Sequence, residues 1–217
     1  MLIRLVCLAN SFKEGGRCLA GIELDNNNNP KIENGRPKWI RPICNTAHGE
    51  IHTHLVAHLS IMDIIELGVS GYPEERDFQS ENVLFRENSI NTIGKLSSNK
   101  LDQLLYNRNS IFGNRGKAVS AEATGNLSHS LMFINVSQFE VIERTYEDNP
   151  TRPQVRLVFS YNGSEYDLPV TDPVFLHNYQ RNPCILEGVD QLYSCLSLGI
   201  NHNDWHYKLV AGMIFKK

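Results

Sequence analysis

No stretch of this 217-residue chain approaches the roughly 18 consecutive apolar residues that a membrane-spanning helix requires, so a helical anchor is excluded and no membrane partner is expected. Paired cysteines are lacking too. The five thiols, at positions 7, 18, 44, 184 and 195, are odd in number, with no Cys-x-x-Cys and none of the close spacings of a zinc ribbon. A disulfide framework is disfavoured, a reducing cytoplasm fits, and no metal or other cofactor is expected. Met1–Ala9 has no basic region ahead of its apolar run, and the polar Asn10–Glu14 follows at once, so it reads as a first strand rather than a secretory leader. A basic excess is absent as well. The 21 Lys and Arg against 24 Asp and Glu leave a net charge of −3, which excludes coating nucleic acid by bulk electrostatics but allows a local basic groove.

Catalytic signatures are equally sparse. No serine sits in a Gly-x-Ser-x-Gly elbow, and the glycine pair at Gly15-Gly16 lacks the Lys-Ser or Lys-Thr ending of a nucleotide-hydrolysing loop. His48, His52, His54 and His58 would pair at helical spacing, but without the Glu of a zinc protease motif they read as a solvated cluster. The acidic run Glu74-Glu75-Arg76-Asp77 reads as a charged loop. No catalytic residue is nominated.

What is present is strand signal. Leu2–Ala9 and Arg17–Leu24 flank turn chemistry at Lys13–Gly16, which predicts a hairpin. The Asn-rich Asp25–Pro37 is an exposed loop, and Lys38–Cys44, Leu59–Leu67 and Glu81–Arg86 supply further strands. The connection Asn45–His58 is where a barrel helix would sit. Ser97–Asn107 is the mid-chain helix signal, with Leu101, Leu104 and Leu105 at helical spacing. Beyond a loop carrying Gly113, Gly116 and Gly125, strands are predicted over Leu131–Val141, Val155–Tyr161 and Glu165–Val170, the last two joined at Asn162-Gly163. Asp172-Pro173 opens a short helix, and Tyr193–Leu198 and Trp205–Phe215 complete the set. Alternation places Trp205, Tyr207, Leu209, Ala211, Met213 and Phe215 on one face, read as core.

Strand, strand, strand, helix, strand, strand is the order of an OB-fold, so the expectation is a mainly β protein of two consecutive OB-like five-stranded barrels with short connecting helices. Residues 1–96 would form the first barrel, and 97–217 the linking helix and second barrel. Periodicity alone leaves a single larger β sandwich open.

The basic residues concentrate early. Residues 1–45 carry seven Lys or Arg against four acids. Trp39 and Arg41 share one strand face, an aromatic beside a guanidinium of the kind that stacks bases and holds phosphates. Lys13 and Arg17 flank the glycine turn, whose amides could approach an anion. Lys13, Arg17, Lys38, Trp39 and Arg41 are therefore the candidate nucleic-acid-binding residues, and single-stranded nucleic acid is the expected partner. A protein-interaction scaffold gripping a partner enzyme is the competing class, and a nucleotide-acting enzyme at the Asn10–Arg17 turn a third, because fold alone does not fix chemistry.

Ile3–Ser11, Gly15–Gly21 and Lys38–Pro42, together with Tyr207–Ala211 near the end, resemble the bacterial dual OB-containing domain family. The resemblance spans nearly the whole chain. It implies two OB barrels and a place in nucleic-acid-associated bacterial multi-protein systems, mobile-element defence among them, and it implies no catalytic residues.

Overall fold

Leu2–Ala9 is apolar along its whole length because both faces of its strand are covered. In the computed structural model, which describes residues 1–74, 78–147 and 149–216, it belongs to β1 (Leu2–Lys13). Ile3, Leu5 and Cys7 point into a barrel core with Leu19, Ile40, Ile65 and Leu67. Val6 and Leu8 belong to a second cluster, shared with the other half of the chain.

The barrel comprises β1, β2 (Gly16–Glu23), β5 (Trp39–Ile43), β6 (Asp63–Gly71) and β7 (Asn82–Lys95), closed in the order β1-β2-β5-β7-β6. Only β5 and β7 run parallel. The Asn-rich segment is less plain a loop than expected, since β3 (Ile32–Glu33) and β4 (Arg36–Pro37) form a small hairpin inside it. Asp25 organises its start by accepting hydrogen bonds from the Asn27 and Asn29 amides at 2.8 and 2.9 Å. The helix α1 (Thr53–Val56) lies within the Asn45–His58 connection.

The second half begins with a 3₁₀ turn, Ser98–Leu104, that buries Leu101 and Leu104. There follow β8 (Ala118–Ser120), α2 (Ala121–Thr124), β9 (Leu131–Val136), β10 (Phe139–Tyr146), β11 (Asn149–Tyr161) and β12 (Ser164–Pro169). Next come α3 (Pro173–Arg181), β13 (Gln191–His202) and β14 (Trp205–Lys216). The hairpin between β11 and β12 turns at Asn162-Gly163, with φ of 48° and 72°, the left-handed pair that Asn-Gly supplies. Asp172 caps α3 by accepting from the Val174 and Phe175 amides at 3.0 and 3.1 Å.

Here the structure departs from the expectation of a second closed barrel. β10-β11-β12 form one sheet and β8-β14-β13-β9 another, over a common core that includes Ile134, Leu157, Phe159, Leu196 and Val210. Among the described residues they meet at a single parallel bridge, Val170 to Val210. The ladder stops there because β12 ends in Pro169, which has no N–H to donate, and because Asp172 turns the chain into α3. The apolar run Leu131–Val141 is likewise split between β9 and β10.

The halves are welded. Leu131, Phe133, Tyr193, Cys195 and Ala211 pack on Val6, Leu8, Ala20 and Ile22. β14 approaches β1 so closely that a Cβ on Gly212 would lie 2.0 Å from the Leu8 carbonyl oxygen. The expected core face of β14 is also corrected. Near its start His206, Lys208 and Val210 are buried, whereas Trp205 and Tyr207 stand 46% and 37% exposed. Ala211 and Met213 are buried as expected. Polar side chains can occupy the inner face because each is paired: a His206 ring nitrogen lies 2.9 Å from the Gly199 carbonyl, and Lys208 binds Asn114.

Candidate nucleic-acid interface

The structure separates the five basic and aromatic candidates. Trp39 and Arg41 do share a face of β5, but that face is turned toward the second half. Trp39 is half-buried against the shared cluster. Arg41 is 1% exposed, ion-paired with Glu81 at 3.4 Å, and it donates to the Ser130 and Ser197 hydroxyls at 2.8 and 3.3 Å. Its guanidinium is a joint between the halves. Lys38 is held by Glu23 at 3.0 Å and Glu33 at 3.6 Å, and the Glu23 carboxylate is kept low by Lys31 and Lys38 against the opposing effect of its burial.

Lys13 and Arg17 lie elsewhere, at the end of the β1–β2 hairpin. Arg17 places its guanidinium 4.7 Å from the centroid of the Phe12 ring, which is 55% exposed. Lys13 lines a cleft of about 550 Å³ between this hairpin and the β13–β14 hairpin. Desolvation lowers the Lys13 ammonium from its ordinary range. Across the cleft stand Asn201, His202 and Tyr207, with Ser197 and Leu209 deeper in. The β13–β14 hairpin turns at Asn203-Asp204, with φ of 51° and 64°, and this turn puts Trp205 directly opposite His202. Trp205 and Tyr207 alternate on one face of β14, and the Tyr207 ring lies 6.4 Å from that of His202.

A family model, the Dual OB-containing domain, matches residues 3–213. The chain belongs to that family. No curated protein matches it. Among solved structures, a chain of a replication protein A heterotrimer bound to ssDNA superposes with a TM-score of 0.38 at 10% identity, covering 100% of this chain and 49% of that chain, so this chain spans about half of it. A murine DNA-binding protein bound with ds DNA gives a TM-score of 0.39 at 8% identity, covering 100% of this chain and 96% of that one. Scores of this size establish no shared fold, and the family assignment rests on the sequence match.

In this dual OB-containing chain the exposed aromatic residues beside the two hairpin ends that sequence reasoning does not single out are Phe12, Trp205 and Tyr207. The last two fall, by alternation, on the apolar face of β14 that the sequence reads as core. A second set, Arg115 and Lys117, is exposed on the loop before β8, beside Arg144, Arg156 and Tyr146. That loop is pinned from beneath by Lys208, whose ammonium donates to the carbonyl and side-chain oxygens of Asn114 at 2.9 and 2.7 Å.

Among the described residues no three His, Cys, Asp or Glu side chains converge as a metal site. α1 spans too little to align His48 with His52, although the His52 and His54 rings stack at 5.9 Å. Of the acidic run, Glu75, Arg76 and Asp77 lie outside the described residues. Cys7 and Cys195 are buried, and burial pushes both thiols far up, away from the thiolate a nucleophile needs.

Proposed function

We propose that this protein binds single-stranded nucleic acid along the paired hairpin ends, with Phe12, Trp205 and Tyr207 as stacking platforms and Lys13 and Arg17 as phosphate contacts. The observation that carries the reading is that two exposed aromatic rings from different halves, Phe12 and Tyr207, line one cleft together with Lys13, and that Trp205 continues the exposed face of Tyr207 along β14. Exposed rings beside cations are what sequence-tolerant strand binding uses, since every base has a face to stack and every linkage a charge. Arg41 supports that surface from behind by tying β5 to Ser197, which itself lines the cleft, whereas Lys38 and Trp39 are not among the residues that line it. The second half is read as an OB barrel left open between β12 and β14, since β9/β10, β11, β12, β14 and β13 follow one another in the same order as the strands of the closed barrel. Residues 1–96 and 97–217 are the corresponding units. The family resemblance supports a place in a bacterial multi-protein system, and the odd, unpaired set of cysteines supports a reducing cytoplasm.

The experiment is a titration with single-stranded and duplex oligonucleotides of equal length at two salt concentrations. Preference for the single strand, with affinity falling as salt rises, is expected. Equal or absent binding of both would instead favour the reading as a scaffold for a protein partner.

A further inference from the structure

Resting on the strand-binding reading, we propose that the cleft between the two hairpin ends lodges a single nucleotide unit, its base between Phe12 and Tyr207 and its phosphate at Lys13 and the Gly15-Gly16 turn.

The cleft, at about 550 Å³, has the size of a small-molecule site. Its walls come from different halves of the chain, Phe12 from β1 and Tyr207 from β14. Arg17 covers one face of the Phe12 ring without itself lining the cleft, which steadies the ring as a wall. A flat π-system suits such walls better than an aliphatic or a peptide group, because two aromatic planes reward area without demanding a particular edge.

The polar groups are placed for the rest of a nucleotide. Glu14 and Gly15, with successive positive φ values of 38° and 81°, make the tight two-residue turn between the paired Lys13 and Gly16, so these two residues stand outside the ladder at the cleft rim. Lys13 adds charge at that end. Arg41 lies in the lining as well, and its Nε is buried without a hydrogen-bond partner although its Nη2 is engaged. Ser11 offers a hydroxyl and Asn201 the nitrogen of its side-chain amide to a sugar or a base edge, while the Ser197 hydroxyl is engaged by Arg41 and the Leu198 carbonyl. Glu14 is the one acid among the described lining residues and is exposed at the rim, while Glu81 neutralises Arg41, so the charge that meets a phosphate is that of Lys13. A base can enter such a site only when unstacked from its neighbours, which selects a single strand or a free nucleotide over a duplex.

The two sources of a nucleotide are separated by titrating the intact protein, followed through the amide resonances of Gly15, Gly16 and Gly199, with adenosine monophosphate, adenosine, inorganic phosphate and a short single-stranded oligonucleotide. Saturable shifts with the monophosphate are expected, with adenosine and phosphate each at least about tenfold weaker. Lys13→Gln should weaken the monophosphate about tenfold and leave adenosine unchanged, while Tyr207→Leu should weaken both. If the oligonucleotide binds but the monophosphate moves none of these glycines, or moves them equally in the Lys13→Gln protein, the pocket is overturned and the strand-binding surface stands. If the monophosphate saturates the site and the oligonucleotide does not bind, the pocket stands as a free-nucleotide site and the strand-binding reading fails.

Discussion

Arg41 and Glu81 form an ion pair at 3.4 Å with 2% and 3% of their side chains exposed, and the second half of the chain holds both members. Ser130 donates its amide to Glu81 at 3.1 Å, and its hydroxyl is also bonded to that carboxylate while accepting from Arg41. A buried pair of this kind is costly to break from one side. Arg41→Met should cost about 3–5 kcal/mol by leaving the Glu81 charge uncompensated, and adding Glu81→Leu should recover much of the loss. Urea unfolding of the two single variants and the double variant checks this; additive losses would show that the two charges are not coupled.

Trp205→Ala and Tyr207→Ala should each weaken single-strand binding by about 1–3 kcal/mol, since both rings are exposed and removing them leaves no cavity. Their unfolding midpoints should stay close to that of the parent. Trp39→Ala should do the reverse, lowering the midpoint because its ring packs on the cluster between the halves. Loss of affinity with Trp39→Ala at unchanged stability would move the stacking surface back to β5.

Salt dependence separates charge from stacking. Arg17→Ala and Lys13→Ala should each flatten the slope of log affinity against log salt by about 0.7, the contribution of one phosphate contact on a single strand. Lys38→Ala, whose ammonium is already held by Glu23 and Glu33, should leave that slope unchanged. A flattened slope for Lys38→Ala would place the strand on the other side of the barrel.

Lys208 is fully buried, and burial lowers its ammonium from 10.5 to about 7. Between those values the unfolded chain holds a proton that the folded chain has released, so stability should rise with pH from about 7 toward 10.5 and receive no pH-dependent contribution from this group below that window. Lys13, also lowered by desolvation, acts with the same sign. The parent minus Lys208→Met difference isolates the buried group. Denaturant unfolding of both proteins between about pH 6 and pH 9 should show a shallower rise in the variant, and parallel curves would mean that Lys208 keeps its ordinary affinity for the proton.

Gly212→Ala should destabilise the whole chain, by about 1–3 kcal/mol or more, because its methyl group would meet the Leu8 carbonyl oxygen at 2.0 Å and part β14 from β1. Unchanged thermal unfolding of this variant would show that the two strands do not approach so closely.

Local chemistry was enough to place the hairpin at Asn162-Gly163, the cap at Asp172-Pro173 and the first strand at Leu2–Ala9, because turn geometry, capping and runs of apolar residues act within a few positions of the chain. The same local patterns gave β5 its shared face of Trp39 and Arg41. What lies opposite that face is a matter of long-range packing, and only the tertiary structure decided it: Ser130 and Ser197, far along the sequence, close over Arg41 and take it out of solvent. The outer face of β14 was illegible for a related reason. Alternation shows that Trp205 and Tyr207 point one way and His206 and Lys208 the other, but which set is buried depends on partners such as Asn114 and the Gly199 carbonyl, which can satisfy polar groups inside and so leave the aromatic rings at the surface.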